Sequence, residues 1–423
     1  NMGGVINIIS KAPPKNYWLE LNTIFKRYNT NEVNISSAHS FDSWNYRLGF
    51  SREKTDGFML SDKFNPTPYE DGGVRNNSDK CLYNLSGSWE SDLLNFHNIG
   101  LDFGYSTMDK KNIPSSIYEH SYRQYQDWMR YHSGLWTKIQ VNESSVMNLQ
   151  LTYDTSADRY LEYSDPAYET MTLDSQMRNQ AFGVHPRFTM IFLGNRKLVI
   201  GYNYEFQLNR RKDNGSYSTW TYSPVQLHQF FSQYDCFLYP DLLLTTGLGL
   251  SSGMNKYHSD FEPQLEPAIG ITYESFLNSK TSFAIGRNTS QPTLRQLYSE
   301  SKGNPALKPQ HSLKVELSHN QALLKNKLSI YCSVYYNNTK DLIDLSPQNR
   351  YENIYKVQSQ GTEIGLSYSP ANFFQTSVNY AYLSYRENSD YYLTETPKNS
   401  VELCQRFTLP GKINFMIYSS YRD

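Results

Sequence analysis

The chain has 423 residues, 36 of them tyrosine; aromatics make up 15%, charged residues 19%, and the formal net charge is −1. So even a charge balance argues against a broad basic face of the kind that binds nucleic acid. No apolar run reaches about 18 residues, which excludes a membrane-crossing helix but not a membrane-crossing strand, for which about 10 residues suffice and every second one can be polar.

Read in chain order, period-two alternation recurs from end to end. Ile99, Leu101, Phe103 and Tyr105 interleave with Asn98, Gly100, Asp102 and Gly104; Ile200, Tyr202, Tyr204 and Phe206 interleave with Gly201, Asn203 and Glu205. Leu242, Leu244, Thr246, Leu248 and Leu250 make one almost wholly apolar face. Leu313, Val315 and Leu317 interleave with Lys314, Glu316 and Ser318, and Leu328, Ile330, Cys332 and Val334 with Ser329, Tyr331 and Ser333. Successive side chains on a strand point to opposite faces, so each segment has a greasy side and a wet side. About nineteen such strands fit between residues 17 and 422.

The connections decide between a soluble sandwich and a membrane barrel. Tight turns fall at 143–146, 193–195, 239–241, 370–373 and 410–411; long loops fall at 55–79, 107–133, 157–178, 208–224, 288–310, 338–354 and 385–398. Short turns on one side and long loops on the other are the pattern of outer-membrane barrels, and a soluble meander has no reason to sort its loops by parity. Unpaired backbone in hydrocarbon costs several kcal/mol per group, so a sheet that spans must close. The tyrosine excess suits the aromatic girdles at the two interfaces. The expected fold class is therefore all-β, a transmembrane antiparallel β-barrel. Bacterial single-chain barrels have an even number of strands. A count of about nineteen, with the last strand running upward to Asp423, predicts roughly three strands beyond it and about 22 in the intact protein.

Two stretches go beyond barrel physics. Gly3-Gly4-Val5-Ile6-Asn7-Ile8-Ile9-Ser10-Lys11, followed by Pro13-Pro14, resembles the end of the plug domain of TonB-dependent receptors. Gln291-Pro292-Thr293-Leu294-Arg295-Gln296-Leu297-Tyr298, then Gly303-Asn304-Pro305-Ala306-Leu307-Lys308-Pro309, then Tyr335-Tyr336-Asn337-Asn338-Thr339-Lys340-Asp341-Leu342-Ile343 and Gly361-Thr362-Glu363-Ile364, resemble the same family's loop and later strands in order. One departure is Gln310, where family members usually have an acidic residue. The resemblance implies that residues 1–14 end a plug and that 15–423 are a barrel truncated before its last strands, with most of the plug upstream of Asn1. It further implies TonB-dependent active import of a scarce nutrient, such as an iron-siderophore, haem or cobalamin-like chelate, across the outer membrane of a Gram-negative bacterium. The implied partners are the TonB–ExbB–ExbD energy-coupling system, reached through a plug segment absent here, outer-membrane lipid and a small nutrient ligand such as a metal chelate. A glycan importer and a passive porin-like channel are the alternatives; the plug-like Gly3–Lys11 segment speaks against the porin.

Binding residues are sought in two aromatic and basic clusters. Residues 107–133 carry Tyr118, His120, Tyr122, Arg123, Tyr125, Trp128, Arg130, Tyr131 and His132; residues 208–224 carry Arg210, Arg211, Lys212, Tyr217, Trp220 and Tyr222. Aromatic faces and guanidinium groups suit flat, anionic ligands, so Tyr122, Arg123, Tyr125, Trp128, Arg130, Arg210, Arg211 and Trp220 are the expected contacts. The same residues would equally make an interfacial belt at the upper ends of strands, and a basic loop would also suit anionic lipid headgroups. No catalytic residue, metal ligand or cofactor is expected. The nine histidines are dispersed, no H-E-x-x-H or G-x-S-x-G motif occurs, and Cys81, Cys236, Cys332 and Cys404 stand singly.

Overall fold

The computed structural model describes residues 12–94, 97–109, 112–114, 122–192, 196–214, 218–255, 262–275, 278–299, 302–387, 397–411 and 413–423. The Gly3–Lys11 segment, Tyr118, His120 and Tyr217 lie outside the described residues.

Alternation has become strands throughout: β1 (Trp18–Lys26), β2 (Thr30–Ser40), β3 (Trp44–Thr55), β4 (Lys80–Leu94), β5 (His97–Asp109), β6 (Asn112–Ile113), β7 (Tyr122–Asn142), β8 (Ser145–Tyr163), β9 (Met171–Phe192) and β10 (Arg196–Asp213). Then follow β11 (Thr221–Tyr239), β12 (Leu242–Asn255), β13 (Gln264–Ser275), β14 (Ser279–Ser290), the short helix α1 (Leu294–Tyr298), β15 (Gln310–Leu323), β16 (Leu328–Leu345), β17 (Tyr351–Ala371), β18 (Phe374–Glu387), β19 (Asn399–Leu409) and β20 (Ile413–Arg422). All belong to one 20-stranded sheet. Strands next in sequence pair antiparallel, except that β6 is a two-residue stub against β7 and β5 pairs directly with β7. Among the described residues no pairing joins β1 to β20, and both are exposed along almost their whole length.

The loops expected at 107–133, 157–178, 208–224 and 338–354 are much shorter than the sequence suggested. Strand β7 begins at Tyr122, β8 runs on to Tyr163, β10 to Asp213 and β16 to Leu345. The backbone ladder continues after the alternation of greasy and wet residues has ended, because above the membrane both faces of the sheet are polar.

The two faces separate cleanly. On β10 the even positions Leu198, Ile200, Tyr202, Tyr204, Phe206 and Leu208 point outward, and Ile200 and Tyr202 are exposed. Leu198 to Leu208 covers about 33 Å along the strand, or roughly 25 Å of height at a tilt of about 40°, the height of a hydrocarbon-facing band. On β15, Leu317 lies opposite Phe283 and Val334, and all three are exposed. Glu316 turns the other way, accepting from Ser333 Oγ at 3.2 Å and pairing with Lys314 at 2.9 Å. Exposed hydrophobic side chains in such a row mark lipid contact.

Candidate functional site

At the long-loop end of the inner face, the β14–β15 connection folds inward as a roof. Helix α1 starts there because Thr293 and Gln296 form a reciprocal cap: Gln296 N–H donates to Thr293 Oγ1 at 3.3 Å, and Thr293 N–H donates to Gln296 Oε1 at 2.9 Å. The helix buries Leu297, which packs with Leu307 of the following loop against Val225 of β11 and Ile343 of β16. Gly303 permits the tight return, since a Cβ there would lie 2.5 Å from the carbonyl oxygen of Ser299.

Polar bonds fasten the roof on three sides. Asn304 Nδ2 donates to the Tyr351 carbonyl at 2.9 Å, and Asn353 accepts from Lys308 N–H while donating to the Lys308 and Asp341 carbonyls, each at 2.9 Å. Gln310 Oε1 accepts the main-chain N–H of Ile343, beside a register irregularity in β16. That acceptor role explains how a glutamine fills a position where the resemblance led to an acid. On the far side, Arg211 Nη1 donates to the Tyr298 carbonyl at 3.3 Å and Nη2 to Asp213 at 2.7 Å, with both side chains almost fully buried.

Beneath the roof lies a crevice of about 590 Å³ lined by Trp128 and Arg130 of β7, Asp154 and Ser156 of β8, Asn179 of β9, Gln207 of β10, Leu227 of β11 and the Gln291–Arg295 segment. Below it the lumen opens into a larger space of about 850 Å³. Its wall carries a hydrogen-bonded chain across four strands, Thr152 to His185 at 3.3 Å, His185 to Asn203 at 3.2 Å and Asn203 to Gln229 at 3.0 Å. Aromatic and guanidinium groups at the mouth over a polar wall can hold a planar anionic solute and keep it hydrated below.

The eight expected contact residues divide between the two faces. Trp128 and Arg130 line the crevice, with Arg130 3.3 Å from Asp154. Tyr125 and Arg123 follow on the same face, Tyr125 with its ring tilted at 55° against that of Tyr160 at 5.3 Å and Arg123 3.6 Å from Glu162. Tyr125 and Trp128 are of opposite parity, and both turn inward because a bulge interrupts the ladder between Gln126 and Met129, with Asp127 at φ 56°. Arg211 is inward but serves the roof. Tyr122, Arg210 and Trp220 belong to the outer face: Tyr122 lies against Tyr168, Arg210 over Tyr222 and Trp220 under Arg178. The sequence placed all three in loops; strand parity turns Tyr122 and Arg210 outward, and Trp220, just ahead of β11, lies against Arg178 of that same face.

Arg295, Asp154, Asn179 and Gln207 were not expected as wall residues, although the inner row of β8 that holds Thr152, Asp154 and Ser156 follows from parity. The next residue of that row, Asp158, sits level with Met177 and Arg211, past the top of the apolar band. Burial pushes its carboxyl up to about 6. Among the described residues no group of three or more His, Cys, Asp or Glu side chains is placed to hold a metal ion.

A family model described as TonB dependent receptor-like, beta-barrel matches residues 18–415. Among solved structures, the copper transporter OprC shares 14% identity over 97% of this chain and 75% of its own, with a TM-score of 0.76. The FrpB iron transporter from Neisseria meningitidis shares 13% over 97% and 69% with a TM-score of 0.78. The siderophore receptor PirA from Pseudomonas aeruginosa shares 16% over 100% and 73% with a TM-score of 0.70. No curated protein matches in sequence.

Proposed function

Because the chain belongs to the TonB-dependent receptor family of Gram-negative outer-membrane β-barrels, we propose that it imports a scarce nutrient presented as an anionic, aromatic-rich metal chelate of the siderophore class. The observation that carries this reading is the roofed inner crevice, in which the Trp128 ring, the Arg130 guanidinium and the Arg295 segment face one another. Such a surface offers an aromatic face and two guanidinium groups to a flat anion. The similar structures are named as a copper transporter, an iron transporter and a siderophore receptor, so a metal, free or chelated, is the cargo their names share.

In this reading the chelate settles between Trp128 and Arg130 on the wall and α1 above. Release inward needs energy, which a TonB–ExbB–ExbD system would deliver by pairing with an extended plug segment. Growth of a strain lacking the gene on single iron, haem, cobalamin, copper and glycan sources tests the proposal. A defect confined to one chelated metal source supports it; a defect confined to a glycan source, or none on any source, contradicts it.

A further inference from the structure

The outer face of β8–β11 carries cations that the inner crevice cannot use. Arg178 of β9 and Arg210 of β10 lie directly opposite each other in the ladder, and Arg210 is opposite Tyr222 of β11. Arg178 stands over the Trp220 ring at 5.3 Å and Arg210 over the Tyr222 ring at 5.5 Å. One row further up, Gln176 is flanked by Arg159 and Lys212. The carboxylate on this patch, Asp174, is already held by Arg159 through two bonds of 2.9 and 2.7 Å.

Like charges directly opposite on a ladder repel; the Trp220 and Tyr222 rings offset part of that repulsion, and an anion bridging the two guanidinium forks would relieve the rest. The row beneath fixes what kind of anion. Below Arg210 on the same face come Leu208 and Phe206; below Arg178 come Gln180, which donates to Tyr153 Oη at 2.9 Å, and then Phe182, at the top of the apolar band. A cation pair seated on the upper edge of that band lies at the depth of headgroups in the outer leaflet, with acyl chains against the aromatic rows below. Arg52 over Tyr83 at 5.9 Å repeats the motif on β3–β4 at the same rim.

We propose that Arg178 and Arg210, framed by Trp220 and Tyr222, form a binding site for the phosphate of an acylated outer-leaflet lipid. A planar guanidinium pair chelates two phosphate oxygens, the aromatic rings orient the forks, and Phe206, Leu208 and Phe182 receive the first acyl chain.

The test is native mass spectrometry of the natural full-length protein in detergent, with a bisphosphorylated, multiply acylated glycolipid, its dephosphorylated form and inorganic phosphate as separate probes. The wild type is expected to retain the phosphorylated lipid, and Arg178→Gln with Arg210→Gln to retain roughly 30-fold less, at the usual contribution of each cation near an anionic lipid surface. Lys280→Gln, whose residue pairs with Glu274 at 2.7 Å by the opposite, short-turn rim, should bind as the wild type does. Equal retention of the phosphorylated and dephosphorylated lipids would overturn the proposal, as would an unchanged double variant. Inorganic phosphate held as tightly as the lipid would overturn the lipid assignment. The lipid comparison on the wild type stands alone if the double variant fails to give the heat-modifiable band of a folded barrel.

Discussion

Arg211 reaches from β10 to the main-chain carbonyl of Tyr298, 87 residues away in sequence, and thereby ties the barrel wall to the roof of the crevice. Its other nitrogen holds Asp213, whose side chain is wholly buried. Replacing Arg211 with Met leaves a buried carboxylate without its cation, at a cost of about 3–5 kcal/mol. Arg211→Met with Asp213→Leu should be markedly milder. Thermal unfolding of both variants checks this, together with protease cleavage of the 291–309 loop; a single variant as stable as the double would contradict the anchoring role.

Gly303→Ala is expected to loosen the same roof without harming the barrel. The added Cβ meets backbone atoms of Ser299 and Leu297, which a rotamer change cannot relieve. Faster cleavage in the 291–309 loop with an unchanged heat-modifiable band is the expected result.

Leu317→Arg should destabilise the intact protein by about 2–4 kcal/mol if the site lies near the bilayer midplane, whereas Glu316→Arg should be far milder. Leu317 is exposed among Phe283 and Val334, while Glu316 belongs to the polar inner row. Unfolding in denaturant after reconstitution measures both, and equal costs would reverse the assignment of faces.

Asp158 makes the crevice sensitive to pH. Its carboxyl titrates at about 6, raised by burial, so it is charged at pH 7.5 and neutral at pH 5. Its neutral form leaves the cations of the mouth less opposed, and an anionic chelate should bind a few-fold more tightly at pH 5 than at pH 7.5. Asp158→Asn should bind at pH 7.5 as the wild type does at pH 5. Binding followed by tryptophan quenching across that range gives the answer; a variant with the wild-type pH slope would remove Asp158 from the electrostatics of the site.

Much of this was legible in the residues. Each of the nineteen expected strands has its counterpart, with β6 the only extra one among the described residues, because a sheet bathed in lipid outside and water inside must alternate. The upper reaches of β7–β11 were not legible as strands, since water on both faces removes the alternation while the ladder persists. Parity alone tells Arg210 from Arg211, adjacent in sequence and on opposite faces. It fails for Tyr125 and Trp128, whose common inward direction depends on the bulge at Asp127. The roof motif was recognisable, but Gln310 became intelligible only through the N–H of Ile343 that it accepts.

Active uptake through this barrel is tested most directly by accumulation of a radiolabelled chelate, chosen from the growth panel, in cells with and without the gene and with and without a proton uncoupler. The account predicts accumulation that needs both the gene and the proton gradient, and that falls when Trp128 and Arg130 are replaced together by Ala and Gln. Gene-dependent entry that continues after uncoupling would show passive flow through an open pore and would contradict it.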